Sequence, residues 1–253
     1  MRTMNFAVVV ASAIIGITGC VRPAQDRAER DRTVGQATNG ALSVRVSDGL
    51  AAVRKLETER VLLWASAPAW ELELDAVTDG TLTLDIHNCV ADAELTALGP
   101  DTRVTPLSTE LPTRKSFTLD LPAGTSRFRL APADYRDRAV FRFALMSDVQ
   151  EAIDRVQDVY RRVNDEDVRF LLGAGDLTRR GTRAELERFR DELEGLDVPY
   201  YTTLGNHELG ESPALYQDYY GRANFQFVYR GVYFTLLDSA SATLDPTSSS
   251  GAW

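Results

Sequence analysis

The sequence predicts an all-β sandwich followed by a parallel α/β unit, and three observations carry that reading. Between about residues 41 and 137, apolar side chains recur at every second position. From residue 138 onward, nearly continuous apolar runs alternate with segments of helical spacing. Behind each of those runs stand polar residues suited to chemistry. Period-two alternation marks strands with one wet face, whereas continuous apolar runs separated by amphipathic helices mark a buried parallel sheet.

Composition sets the outer bounds. With 253 residues, 44% hydrophobic and 26% charged, the chain has apolar material for one or two globular cores. A formal charge of −9 leaves no basic face to hold a polyphosphate backbone, so nucleic acid is not an expected partner. Residues 1–19, with Arg2 followed by an apolar run from Phe6 to Ile17, read as an export signal. That run is too short to span a bilayer comfortably. The stretch Ile17-Thr18-Gly19-Cys20 resembles a bacterial lipobox, in which the cysteine becomes the first mature residue and carries a lipid. This reading, preferred to an ordinary secretory signal or a short membrane-dipping helix, makes Cys20 the lipidation site. It places the protein in the bacterial cell envelope, on the periplasmic or surface side, with the membrane as a partner. Cys89 then has no disulfide partner within the chain and is expected to pack as a small apolar residue. Residues 20–40 are charged and poor in large apolar side chains, so they read as a disordered tether with a reach of about 25 Å.

Residues 41–137 supply the sandwich. Trp70, Leu72 and Leu74 alternate, as do Leu82, Leu84 and Ile86; Phe117, Leu119 and Leu121; and Phe128 and Leu130. They read as half-buried antiparallel strands, separated by turns at Thr78-Asp79-Gly80 and Pro122-Ala123-Gly124. His87 falls on the opposite parity from its apolar neighbours and is expected to face outward, with no chemical role.

Residues 138–253 change character. Val140, Phe141, Phe143, Ala144, Leu145 and Met146 form a run expected to be a strand covered on both faces. Ile153, Val156, Val159, Tyr160 and Val163 follow at helical spacing. The unit then repeats: a strand at 168–176, a helix at 182–196 and a strand at 198–205. Such a β-α-β-α-β order implies a parallel sheet whose strands present their carboxyl ends on one edge.

On that edge the sequence places Asp148 and Gln150, then Asp176, then Asn206 and His207. Two carboxylates, amide oxygens and an imidazole are donors suited to divalent metals. Carboxylates on neighbouring strand ends repel one another unless a cation lies between them. The alternative, that each polar group only caps the following helix, explains one aspartate and not the recurring set.

The segments Ser147-Asp148-Val149-Gln150, Gly175-Asp176 and Gly205-Asn206-His207-Glu208, about thirty residues apart in consecutive βα units, resemble the first three blocks of the calcineurin-like metallophosphoesterases. That resemblance implies a four-layer α/β sandwich holding two divalent metal ions, of manganese, iron or zinc. Asp148 would bind the first ion, with Gln150 beside it; Asp176 would bridge both, and Asn206 would bind the second. His207 would protonate the leaving oxygen or stabilise transition-state charge. The implied reaction is hydrolysis of a phosphomonoester or phosphodiester by in-line attack of metal-bound hydroxide, with a phosphoester as substrate.

Two departures qualify the resemblance. Gln150 stands where that family has a histidine, which makes a harder and weaker first metal site. No histidine follows His207, although the family draws further imidazole ligands from later blocks. The expectation is therefore a phosphoesterase domain cut short near a Ser/Thr-rich helix start, inactive as it stands, with Phe225, Phe227, Tyr233 and Phe234 losing part of their cover. The rival readings are a membrane-anchored binding lipoprotein with an inert phosphoesterase-like remnant, and a metal-sensing domain.

Overall fold

The computed structural model describes residues 22–210, 212 and 214–240, with side chains from residue 25. The expected export signal, Cys20 and the Ser/Thr-rich segment lie outside the described residues. A helix, α1 (Arg22–Thr33), comes first. The period-two region then forms ten strands: β1 (Gln36–Thr38), β2 (Leu42–Val46), β3 (Ala51–Leu56), β4 (Arg60–Ala65), β5 (Trp70–Ala76), β6 (Gly80–His87), β7 (Ala93–Ala97), β8 (Arg103–Leu107), β9 (Arg114–Leu121) and β10 (Gly124–Pro132). They pair as two five-stranded sheets, in the orders β1-β2-β5-β10-β7 and β3-β4-β6-β9-β8. The alternating residues point into the space between them: Leu74, Leu84, Ile86, Leu119 and Phe128 are fully enclosed. Cys89 is free and buried, as its isolation in the sequence implies. One pairing departs from the antiparallel expectation, because β5 crosses to the other sheet and β4 and β6 therefore run parallel.

The second unit is built from β11 (Ala144–Met146), α2 (Val156–Asn164), β12 (Leu171–Gly173), α3 (Arg183–Glu192) and β13 (Tyr200–Thr202). The three strands are parallel and adjacent in sequence order. Helix α3 starts with a reciprocal cap, in which Thr182 Oγ1 accepts from Glu185 N at 3.3 Å and Glu185 accepts from Thr182 N at 3.1 Å. A short helix α4 (Leu215–Tyr220) leads to the antiparallel hairpin β14 (Phe225–Tyr229) and β15 (Val232–Leu236). Alternation along the parallel strands divides two cores. Leu171 and Tyr200 face Tyr160, Leu186 and Phe189 of the helices. Leu172 and Tyr201 share a cluster with Phe227 and Phe234 of the hairpin and with the interior of the sandwich. The described residues thus supply the helix, parallel-sheet and hairpin layers of an α/β sandwich, preceded by an all-β sandwich.

The two units are fastened by Asn88. Its side-chain amide donates to Ala65 O and to Tyr200 O, both at 2.8 Å, and its Oδ1 accepts from Tyr200 N at 2.7 Å. Asn88 has φ of 65°, a left-handed conformation that asparagine tolerates better than most residues.

Four expectations need correction. The tether over residues 20–40 is ordered from Arg22 onward: α1 is held by the buried Asp31, which accepts from Ala223 N at 2.9 Å and Asn224 N at 3.0 Å. Its anchors are polar and reach partners far along the chain, so apolar periodicity does not reveal them. The run before Asp148 is a strand only over Ala144–Met146, and β11 is a sheet edge rather than a strand covered on both faces, with Leu145 67% exposed. Phe225, Phe227 and Phe234 are buried: Phe227 packs on Phe170 and Tyr201, Phe234 on Phe170, and Phe225 on Phe227; Tyr233 alone of the four is exposed. His87 is half-buried and edge-on to Trp64 at 6.4 Å, because helices cover the outer face of the second sheet.

Candidate functional site

Each parallel strand ends in a tight loop on the same edge of the sheet. The backbone joins the first two loops, with Asp148 N donating to Gly175 O at 3.3 Å and Ala174 N to Met146 O at 3.0 Å. Asp148, Gln150 and Asp176 all have positive φ, of 57°, 39° and 54°. Non-glycine residues in that region are uncommon and carry strain, which persists where the surroundings hold it in place. Three of them at the strand ends mark a built site. Gly175 belongs to the same bend, with φ of 86°; a Cβ there would meet Gly205 N at 2.6 Å. At Gly205 itself a Cβ would collide with the Asp176 carboxylate. Glycine at both positions lets the second and third loops touch.

Asp176 is the centre of the contacts. Its Oδ2 accepts from Gln150 Nε2 at 3.3 Å, and its Oδ1 from His207 N at 3.2 Å. Asp148, on the same edge, is exposed and accepts from Ser147 Oγ at 2.6 Å. Asn206 opens the 3-10 turn Asn206–Leu209 and is exposed. The structure therefore brings Gln150, Asp176 and the His207 backbone into contact, and leaves Asp148 and Asn206 open to solvent beside them.

The His207 ring is fixed by its Nδ1, which lies 2.6 Å from Arg179 O. A carbonyl only accepts, so Nδ1 carries the hydrogen and Nε2 is the nitrogen left for chemistry. The contact with Arg179 O is the main reason that the ring's pKa is raised, with the charges of Asp176, Glu208 and Glu151 adding to it against a smaller effect of burial.

Sequence reasoning missed the group that holds this turn. Glu208 is 2% exposed. Its Oε1 accepts from Thr178 N at 2.9 Å and Thr178 Oγ1 at 2.8 Å, and its Oε2 from Gly205 N at 2.8 Å. It thereby straps the His207 loop to the Asp176 loop. Burial pushes its carboxyl pKa up, against the three bonds that favour the charged form. The available signal was its place three residues after Gly205, the spacing of a capping pair.

Among the described residues no three His, Cys, Asp or Glu side chains gather into a metal-holding group. The donors present are two carboxylates and two amides on one edge. An all-oxygen set of this kind fits a hard divalent cation such as magnesium or manganese, through Asp148 and Asp176 above all. Beside them a cavity of ≈ 240 Å³ is lined by Gln150, Ile153, Leu177, Arg179 and Arg188, among others.

Aspartates, an asparagine and a histidine thus stand on the carboxyl edge of a parallel α/β sheet. Residues 141–246 match the model of the calcineurin-like phosphoesterase family. A solved structure similar to the chain is that of purple acid phosphatase PPD1 isolated from yellow lupin (Lupinus luteus) seeds. The two are 11% identical, with a TM-score of 0.36, over 68% of this chain and 43% of that one. The chain thus spans less than half the length of that structure. No curated protein matches the chain.

Proposed function

We propose that the strand-end site hydrolyses phosphoesters with the help of divalent metal ions. The observation that supports this most is the set of left-handed, non-glycine residues Asp148, Gln150 and Asp176, locked beside a histidine whose ring is fixed through Nδ1. Asp148, Gln150, Asp176 and Asn206 would hold the ions, which when bound supply a nucleophile at neutral pH and offset charge on the phosphoryl oxygens. His207 presents Nε2 to the leaving oxygen and gives it a proton. The organic part of the substrate lies in the neighbouring cavity, where the Leu177 and Ile153 side chains offer apolar contact and Arg179 and Arg188 offer charge. Because all four donors are oxygens and Gln150 replaces an imidazole, metal affinity and turnover of these 253 residues are low.

The experiment is hydrolysis of bis(4-nitrophenyl) phosphate with added manganese, with zinc and with chelator. The reading expects turnover that chelator abolishes and that His207→Ala lowers by about 10², the scale for loss of a positioned acid. Turnover indifferent to both would refute it.

We also propose that Cys20 carries a lipid and holds the protein in the bacterial cell envelope. Among the described residues no helix is long and apolar enough to cross a membrane. Since α1 is bound to the body through Asp31, such an anchor would join a helix docked on the fold rather than a free tether.

A further inference from the structure

A second polar cavity, of ≈ 200 Å³, lies where the outer face of the second sandwich sheet meets the end of α3. Its lining includes Arg54 of β3, His87 of β6, Arg114 of β9 and Arg190 of α3, with Trp64 and the carboxylates Asp191 and Glu194. It sits by Tyr200, the first residue of β13, which Asn88 of the same lining clamps. The candidate hydrolytic site is at the opposite, carboxyl end of that strand. The two share no residue.

Arg54 is the unusual member. Its guanidinium lies 5.0 Å from the ring of Tyr219 and 5.7 Å from that of Trp64, and it makes no hydrogen bond or ion pair with any described residue. Burial, reinforced by the charge of Arg190, lowers its pKa. A half-buried guanidinium without a carboxylate is costly unless something anionic reaches it. Arg190 and Arg114 do have carboxylates, Asp191 at 2.6 Å and Glu194 respectively. Each guanidinium carries five donors, however, so both keep N–H groups beyond those pairs. Glu187, whose charge also acts on Arg54, accepts from Tyr219 Oη at 2.6 Å. The lining still carries three guanidiniums against two carboxylates; burial first, then the charges of Arg114 and Arg54, hold the His87 imidazole down at about 4, against the opposing pull of Asp85.

We propose that this cavity binds a compact oxyanion, a phosphate or the phosphate group of a small monoester, between Arg54 and Arg114 of the sandwich and Arg190 of α3. Planar guanidiniums on more than one side match the tetrahedral array of phosphate oxygens. The volume exceeds that of a 150 Å³ cavity that accommodates benzene, so a phosphate with a small substituent fits. The ligand bridges the two units and favours their docked arrangement. The inference is independent of the hydrolytic reading.

Trp64 lines the cavity, and its emission reports occupancy. The full chain is titrated in chelator, which removes metal from the strand-end site, with inorganic phosphate in one arm and glycerol phosphate in another. Sodium chloride at equal ionic strength is the control. The expected result is a saturable change in emission together with a rise in melting temperature, neither given by chloride. Arg190→Gln and Arg54→Gln should each weaken binding at least about tenfold, the scale for one charge-assisted hydrogen bond. Asp176→Asn should leave it unchanged. The Arg190 side chain is 32% exposed and lies on a helix rather than within a sheet, so its variant keeps the test open if Arg54→Gln does not fold. Tighter binding of the ester names an organic phosphate as the ligand; equal or weaker binding names free phosphate. A response matched by chloride, one untouched by Arg190→Gln, or one lost in Asp176→Asn would overturn the proposal.

Discussion

Replacing Glu208 by alanine removes the strap between the Asp176 and His207 loops, and its cost follows from the bonds lost. Three donors converge on this carboxylate. The hydroxyl of Thr178 can turn elsewhere, but the N–H groups of Thr178 and Gly205 are fixed by the backbone. A buried donor left without a partner costs about 1–3 kcal/mol, so the pair costs about 2–6 kcal/mol and centrally about 4 kcal/mol. For a chain of this size about 4 kcal/mol corresponds to a fall in melting temperature of roughly 8–16 °C. Scanning calorimetry of the wild type, Glu208→Ala and Glu208→Gln checks this. The glutamine variant keeps one acceptor oxygen and should lie between the other two. A loss under about 2 °C for Glu208→Ala would refute the view that these bonds hold the site together.

Two further predictions concern other parts of the chain. His87 titrates near 4 in the folded state against an ordinary 6.5, because of burial and the charges of Arg114 and Arg54. A depressed folded value means that its contribution is complete above pH 6.5 and is lost as pH falls toward 4. The gap amounts to about 3 kcal/mol at most, and roughly half of that once solvent screening of a partly exposed ring is allowed for. Urea unfolding of His87→Gln should show a flatter stability profile between those limits, and an unchanged slope would contradict the assignment. Cys20→Ser should release the protein from membranes and abolish incorporation of labelled fatty acid, since no described helix offers another hold; equal labelling of both proteins would dismiss the lipobox reading.

Much of the fold is legible in the sequence because burial is written as periodicity. Trp70, Leu72 and Leu74, or Phe128 and Leu130, announce their strands, and each points inward. The order of the second unit and the gathering of Gln150, Asp176 and His207 are equally visible, since a parallel sheet brings its loops to one edge. What escapes notice is polar and non-local. Asp31 orders α1 through partners about 190 residues away in sequence. Glu208 sits in view within the motif, yet only its burial shows that it is a brace. The outward reading of His87 fails because a second unit covers that face of the sheet, and parity along one strand carries no information about what lies beyond it.

The central claim is that Asp176 anchors a divalent cation while His207 acts on the substrate without holding metal. Manganese binding, followed by electron paramagnetic resonance on the full chain, tests it most directly. The account predicts that the wild type binds manganese, that Asp176→Asn loses it, and that His207→Ala retains it at wild-type affinity. Binding that survives Asp176→Asn, or that disappears in His207→Ala, would contradict it.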